Sequence, residues 1–164
     1  MEHIMPKQSK FASVIVLNWN GKRFLEKCIG SLLSQNYQDY EVVLVDNGST
    51  DGSIEFAEKL FGISSRLRVV SFNKNYGFSK GNNLAIKMCT KSDYVIILNN
   101  DTEVEKNFIK ELVNAAENDE SIGSVGCKIL TPGKKIWFSQ KFTNHGLIVP
   151  YFLQTLIEKR IENI

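Results

Sequence analysis

Four short polar segments hold most of the groups in this chain that are able to do chemistry: residues 18–21 (NWNG), 46–51 (DNGSTD), 73–83 (NKNYGFSKGNN) and 99–101 (NND). The last is the most pointed, because Asp101 is a single carboxylate preceded by two amides, Asn99 and Asn100. A lone Asp after an apolar run suits a divalent cation such as Mg²⁺ or Mn²⁺, which prefers oxygen ligands. Mg²⁺ commonly takes only one or two carboxylates and fills its other positions with phosphate and water. One carboxylate is therefore enough if the ligand brings a diphosphate. Asp46 can accept a hydrogen bond from the imide N–H of a uracil or thymine ring. Asn75 and Gly77 let the backbone come close to a ribose or base. Each segment alone also has a plainer reading, since Asn, Asp and Gly collect at turns. Asp51 in particular reads as a helix cap, and Asn82 and Asn83 as first-turn helix residues. What separates the two readings is whether the four segments meet in space.

The elements between them say that they do. Residues 11–17 (FASVIVL) form a β-branched apolar run that reads as a buried strand. Phe24, Leu25, Cys28, Ile29, Leu32 and Leu33 then recur at helical spacing. Residues 40–46 (YEVVLVD) are a second strand, followed by a helix with Phe56, Ala57, Leu60 and Phe61 directed inward. A short third strand (67–70) precedes a helix carrying Leu84, Ala85, Met88 and Cys89 on one side. Residues 94–98 (YVIIL) are the fourth strand, Phe108, Ile109, Leu112, Val113 and Ala116 mark another helix, and 122–130 reads as a weaker fifth strand. Alternating helices and non-alternating, doubly buried strands predict an α/β fold: a mainly parallel sheet with helices on both faces. Ligands of such sheets bind outside the carboxyl ends of the strands. All four polar segments belong to that edge, so one site built from four loops is expected.

Composition narrows the classes further. The chain has 164 residues, enough for one domain with a real core, and a formal net charge of +2. Its basic residues are scattered rather than striped, which gives no electrostatic case for nucleic acid. No run of 18 or more apolar residues is present, so no membrane-spanning helix is expected. Residues 1–10 are a polar tail without the apolar middle of a signal peptide, which predicts a cytoplasmic protein. Cys28, Cys89 and Cys127 are widely spaced within apolar patterns and read as reduced core thiols. The first loop, NWNG, lacks the GxGxxG of a dinucleotide fold, and GxxxxGK[ST] is absent.

Taken together, SVIVLNWNG, YEVVLVDNGSTDGS, NKNYGFSKGNN and VIILNNDTEV, in this order and spacing, resemble the donor-binding half of a family-two glycosyltransferase with the GT-A fold. The rhamnosyltransferase-like branch is the most similar, and the likeness covers residues 11–130. It implies inverting transfer of a sugar from a nucleotide-diphosphate donor (dTDP-, UDP- or GDP-linked) to a saccharide or lipid-linked acceptor, in cell-surface polysaccharide biosynthesis. It also implies a role for Mg²⁺ or Mn²⁺ in steadying the leaving diphosphate. Residue by residue, Asn18 and Asn20 would line the base pocket and Asp46 would read the nucleobase. Asn75, Gly77 and Asn83 would lie under the nucleoside. Asn99 would lie near the ribose or diphosphate, Asn100 would also belong to the nucleotide-sugar site, and Asp101 would be the metal ligand.

The family's general base is an Asp or Glu in the acceptor half. Beyond residue 130 the chain offers only Glu158 and Glu162, with His145 as the remaining candidate, and none sits in a matching motif. Residues 131–164 read as an edge strand and a terminal amphipathic helix carrying Phe152, Leu153, Leu156, Ile157 and Ile161. The expectation is a chain truncated after its donor half that binds donor and metal without a complete acceptor region. That helix would also suit a homodimer or peripheral contact with the inner face of the membrane. Two rival readings are a non-catalytic nucleotide-sugar-binding or dimerisation module and a nucleotidyltransferase, for which NWNGKRF supplies only a weak loop.

Overall fold

β-Branched and aliphatic residues buried on both sides turn the apolar runs into strands. A computed structural model describes residues 9–119, 121–127, 129–130, 136–138 and 156–159. Its strands β1 (Ala12–Asn18), β2 (Tyr40–Asp46), β3 (Leu67–Ser71) and β4 (Tyr94–Asn99) lie parallel in the order β3-β2-β1-β4. The register sets Asn18 opposite Asp46, Leu17 opposite Asn99 and Asp46 opposite Ser71. Every polar strand end therefore surfaces on the same edge.

Parallel neighbours need crossover connections, which are α1 (Lys22–Leu33), α2 (Ser53–Phe61) and α3 (Phe78–Ile86); α4 (Phe108–Glu117) follows β4. Strand side chains alternate between the two faces. Val14, Val16, Val42, Leu44, Ile96 and Leu98 pack with Leu25, Ile29 and Leu32 of α1, Ala57 of α2 and Ile109 of α4. Ile15, Val43, Val45 and Val95 turn the other way, against Ala85 of α3 and Cys89. The sheet thus has helices on both faces, as the alternation of elements predicts, with three on one side and one on the other.

Three expectations are corrected. Residues 122–130 form two short strands rather than one: β5 (Ser124–Gly126) and β6 (Ile129–Leu130), the latter pairing with β7 (Ile136–Phe138) in a separate two-stranded sheet. The expected terminal helix is a strand over part of its length. β8 (Leu156–Lys159) runs antiparallel between β4 and β5, completing a six-stranded sheet in the order β3-β2-β1-β4-β8-β5. The unpaired hydrogen-bonding edge of β4 overrides a weak helical periodicity here, and the dimer and membrane readings drawn from a helical face lose their basis at these positions. The rest of 151–164, with Glu162, and also His145, lies outside the described residues. Third, Leu60 and Met88 are exposed. α2 buries only a narrow stripe, Ser53 and Ala57, and Met88 follows the end of α3 at Ile86.

The three cysteines form no disulfide with one another: Cys28 and Cys89 are buried and Cys127 is half-buried. Desolvation by burial pushes the Cys28 thiol up to about 12, although a backbone hydrogen bond at Thr102 works in the opposite direction. Burial likewise raises the Cys89 thiol. Only the thiolate is a good nucleophile, so at pH 8 iodoacetamide is expected to label Cys127 well before Cys28 or Cys89 in the folded protein. Peptide mass spectrometry reads the order of modification, and equal rates at all three would contradict this packing.

Candidate functional site

The site begins with Asn18, the last residue of β1, which is fully buried although polar. Its amide is used at both ends. Nδ2 donates to Asp46 Oδ1 (3.1 Å) and Ser49 Oγ (3.3 Å), while Oδ1 accepts from Asn100 Nδ2 (2.7 Å). One side chain thereby ties the loops after β1, β2 and β4 together. Gly21 completes this joint by having no side chain, because a Cβ there would stand 2.1 Å from Asn100 Nδ2 and 2.5 Å from Asn18 Oδ1.

Asp46 ends β2 and is 3% exposed. Its Oδ1 takes the Asn18 amide and its Oδ2 the backbone N–H of Ser49 (2.8 Å). The carboxylate thus fastens its own loop to the end of β1. Asn20, in left-handed backbone (φ 50°), accepts from Thr50 N–H (2.8 Å), and its own N–H donates to Ser49 Oγ (2.8 Å). Asp51 bridges two helix starts, accepting from Lys22 N–H of α1 (2.9 Å) and from Ser53 N–H of α2 (3.1 Å). Desolvation raises its carboxyl, but these bonds and the Ser53 hydroxyl outweigh it and hold the group below the ordinary carboxylate value. The expected capping role is present, in duplicate.

The loop after β3 is held by Asn47, a residue that turn chemistry alone did not single out. Asn47 Nδ2 donates to Asn75 Oδ1 (2.9 Å) and Gly77 O (3.3 Å), and its Oδ1 accepts from Tyr76 N–H (2.9 Å). Asn75 Oδ1 also accepts from Gly77 N–H (2.7 Å). Gly77 adopts φ 76° and ψ 174° at the start of α3, a conformation essentially restricted to glycine. The ring of Tyr76 stands edge-on to Phe72 and has the ammonium groups of Lys74 and Lys80 at 5.4 and 5.1 Å from its centroid. Asn83 is exposed on α3, and no hydrogen bond among the described residues draws its side chain into the network. Its neighbour Asn82 is buried instead, donating to Phe78 O (3.0 Å) while its Oδ1 has no partner.

At the end of β4, Asn99 is half-buried and its carbonyl accepts from the Cys28 thiol (3.6 Å) and Thr102 N–H (3.3 Å). Asp101 follows in a turn and is exposed. Among the described residues no three His, Cys, Asp or Glu side chains gather. What the strand end offers is one exposed carboxylate among amide oxygens. That all-oxygen set fits Mg²⁺ or Mn²⁺ drawing its remaining ligands from a diphosphate and water. The same rim carries Trp19 and Phe78, 56% and 59% exposed, which the polar motifs did not flag. Large exposed aromatics inside polar loops were the available signal. The structure therefore joins Asn18, Asn20, Asp46, Asn75, Gly77 and Asn100 through hydrogen bonds, sets Asn99 and Asp101 beside them on the sheet edge, and leaves Asn83 apart.

This arrangement has known counterparts. The family model for glycosyl transferase family 2 matches residues 13–162. The glycosyltransferase GlyG of Streptococcus pneumoniae is 30% identical over 118 residues, covering 72% of this chain and 39% of that protein. Among solved structures, Staphylococcus aureus TarS (1-349) in complex with UDP-GlcNAc superposes with a TM-score of 0.61 at 26% identity, over 67% of this chain and 32% of that one. The mannosyltransferase PcManGT of Pyrobaculum calidifontis, in complex with GDP-Man and Mn²⁺, gives a TM-score of 0.65 at 25% identity, over 78% and 38%. The chain spans under two fifths of the length of each of these relatives. Among the described residues no helix is long and apolar enough to cross a membrane.

Proposed function

The chain belongs to glycosyl transferase family 2, and from that premise we propose that its residues 11–130 bind the nucleotide-diphosphate part of a nucleotide-sugar donor at the polar sheet edge, for inverting transfer of the sugar to an acceptor hydroxyl. The observation that carries the proposal is the hydrogen-bonded frame of Asn18, Asp46, Asn47, Asn75 and Asn100, which gathers four loops around the end of β4 where Asp101 emerges. Asn20, Asn75 and Gly77 line the nucleoside end, and Asn99 and Asn100 stand towards the diphosphate. Asp46 acts from behind, by fixing the loop that meets the base. Asp101 holds Mg²⁺ or Mn²⁺, which when bound offsets the charge on the departing diphosphate as a Lewis acid. Transfer further needs a general base at the acceptor hydroxyl, and no described side chain is assigned that role.

The nucleotide complexes of TarS and PcManGT support a UDP- or GDP-linked donor. The rhamnosyltransferase-like motifs favour a dTDP- or UDP-linked one. Isothermal titration of the folded chain with UDP, dTDP and GDP in the presence of Mn²⁺ is expected to give saturable binding for at least one. Absence of heat with all three, at protein and ligand concentrations that would detect a Kd of about 1 mM, would sink the proposal.

A further inference from the structure

Between β4 and α4 the chain runs irregularly through residues 100–107, and this is the stretch that carries Asp101. Irregular backbone has no ladder to satisfy its N–H and C=O groups, so it must find partners elsewhere. Here they come from α1 and the residues just after it. At the near end, the Cys28 thiol donates to Asn99 O (3.6 Å). In the middle, Val104 N–H donates to Ser31 Oγ (3.1 Å), whose hydroxyl proton goes to Cys28 O (2.9 Å). Farther on, Gln35 Nε2 donates to Glu105 O (2.9 Å) and Gln35 Oε1 accepts from Ile109 N–H (3.1 Å). Asn36 adds its N–H to Lys106 O (2.8 Å) and its amide to Asn107 Oδ1 (2.8 Å).

Cys28 and Ser31 lie one turn apart on the same side of α1, and Gln35 follows the C-cap Ser34. Gln35 is 5% exposed, and its amide joins the end of α1, at Ser31 O (3.0 Å), to Glu105 O and to Ile109 N–H at the start of α4. A buried amide is costly to place unless its groups are paired. Packing alone would be served by an aliphatic residue, so its presence points to a demand from the loop. The opposite end of α1 is fixed too, through Lys22 N–H on Asp51.

We propose that Ser31 and Gln35 are positioning residues for Asp101: they clamp the 100–107 segment along α1, so that the carboxylate is already placed when metal and diphosphate arrive. The inference rests on the assignment of Asp101 as the metal ligand. A metal ligand must be held to within about half an ångström of its working position, and loss of the supporting hydrogen bonds around metal sites typically costs about 10- to 100-fold in affinity. That support comes from a helix whose Leu25, Ile29 and Leu32 meanwhile pack into the core.

The test uses the full chain with Ser31→Ala, Ser31→Thr, Gln35→Met and Asp101→Asn. Two readouts are independent of activity: amide exchange over residues 99–107 in metal-free protein, and Mn²⁺ titration at saturating UDP or GDP, whichever the parent protein binds. Gln35→Met is expected to speed exchange across this segment and weaken Mn²⁺ by about tenfold. Metal-free nucleotide affinity should change much less than Mn²⁺ affinity, because Asn100 keeps its own bond to Asn18, which involves neither Ser31 nor Gln35. Ser31→Ala should do the same to a lesser degree, and Ser31→Thr, which keeps the hydroxyl, should restore the parent values. If Gln35→Met does not fold, the Ser31 pair decides. Unchanged exchange and Mn²⁺ affinity in the folded variants, with the Mn²⁺ response lost in Asp101→Asn, overturns the clamp alone. A Mn²⁺ response that survives Asp101→Asn overturns the metal assignment beneath it.

Discussion

Replacing Asp101 by Asn is expected to abolish the metal dependence of nucleotide binding while leaving the fold intact. The side chain is exposed in a turn and no described hydrogen bond depends on it, so stability should change by no more than about 0.5 kcal/mol, as for ordinary surface positions. Its contribution to a cation differs in kind. Hard cations favour charged oxygen donors, and the neighbouring Asn99 and Asn100 supply only neutral amides. Converting Asp101 to a third amide removes the charged oxygen donor directly at the end of β4. Affinity for UDP or GDP with Mn²⁺ should fall to the metal-free level. Titration calorimetry with and without Mn²⁺ measures this directly. Unchanged metal-dependent affinity in a variant of normal stability would show that the cation sits elsewhere.

The largest effect on stability is expected at Gly48. Its φ of 76° is left-handed, which costs an L-residue roughly 1–2 kcal/mol. A Cβ there would also lie 2.6 Å from the carbonyl carbon of Lys74, 2.7 Å from its Cα and 2.8 Å from the backbone N of Asn75. These are backbone atoms of a loop pinned by Asn47, so they cannot move aside without breaking the bonds to Asn75 and Tyr76. Gly48→Ala should therefore cost about 3 kcal/mol or more. Two other glycines serve as internal controls. Gly77 shares the positive φ but faces open space, and Gly52 meets only the flexible ends of Lys22 at 3.4 Å and Glu55 at 3.8 Å. Their Ala variants should cost about 1–3 and about 1 kcal/mol. Urea unfolding with a constant m-value gives the ranking, and a Gly52 variant as damaging as Gly48 would refute the close approach of the two loops.

The sheet was legible because β1, β2 and β4 are buried on both faces and advertise it by unbroken aliphatic runs. The edge elements carry weaker marks. Phe152, Leu153, Leu156, Ile157 and Ile161 have helical spacing, yet 156–159 is a strand because β4 presents an open edge, and no local pattern encodes that opportunity. Gly123 and Gly126 lie in a run that looked like one strand, whose two described pieces join different sheets. Within the site, turn chemistry and strand ends located the loops but not the division of labour inside them. Asn18 and Asp46 look like ligand contacts in sequence, and the structure shows that both also fasten the loops beside them. Asn47, Ser31 and Gln35 look like ordinary loop and helix residues. Their importance comes from partners far along the chain, which spacing alone cannot reveal.

The frame that joins the four loops is made largely of amides: Asn18, Asn20, Asn47, Asn75 and Asn100. Amides do not titrate, and neutral hydrogen bonds are not screened by salt as exposed ion pairs are. Changes in ionic strength therefore act on the exposed lysines nearby, and on any charged ligand, rather than on these amide bonds. Binding at this edge can be tuned by salt while the amide bonds that shape it stay constant.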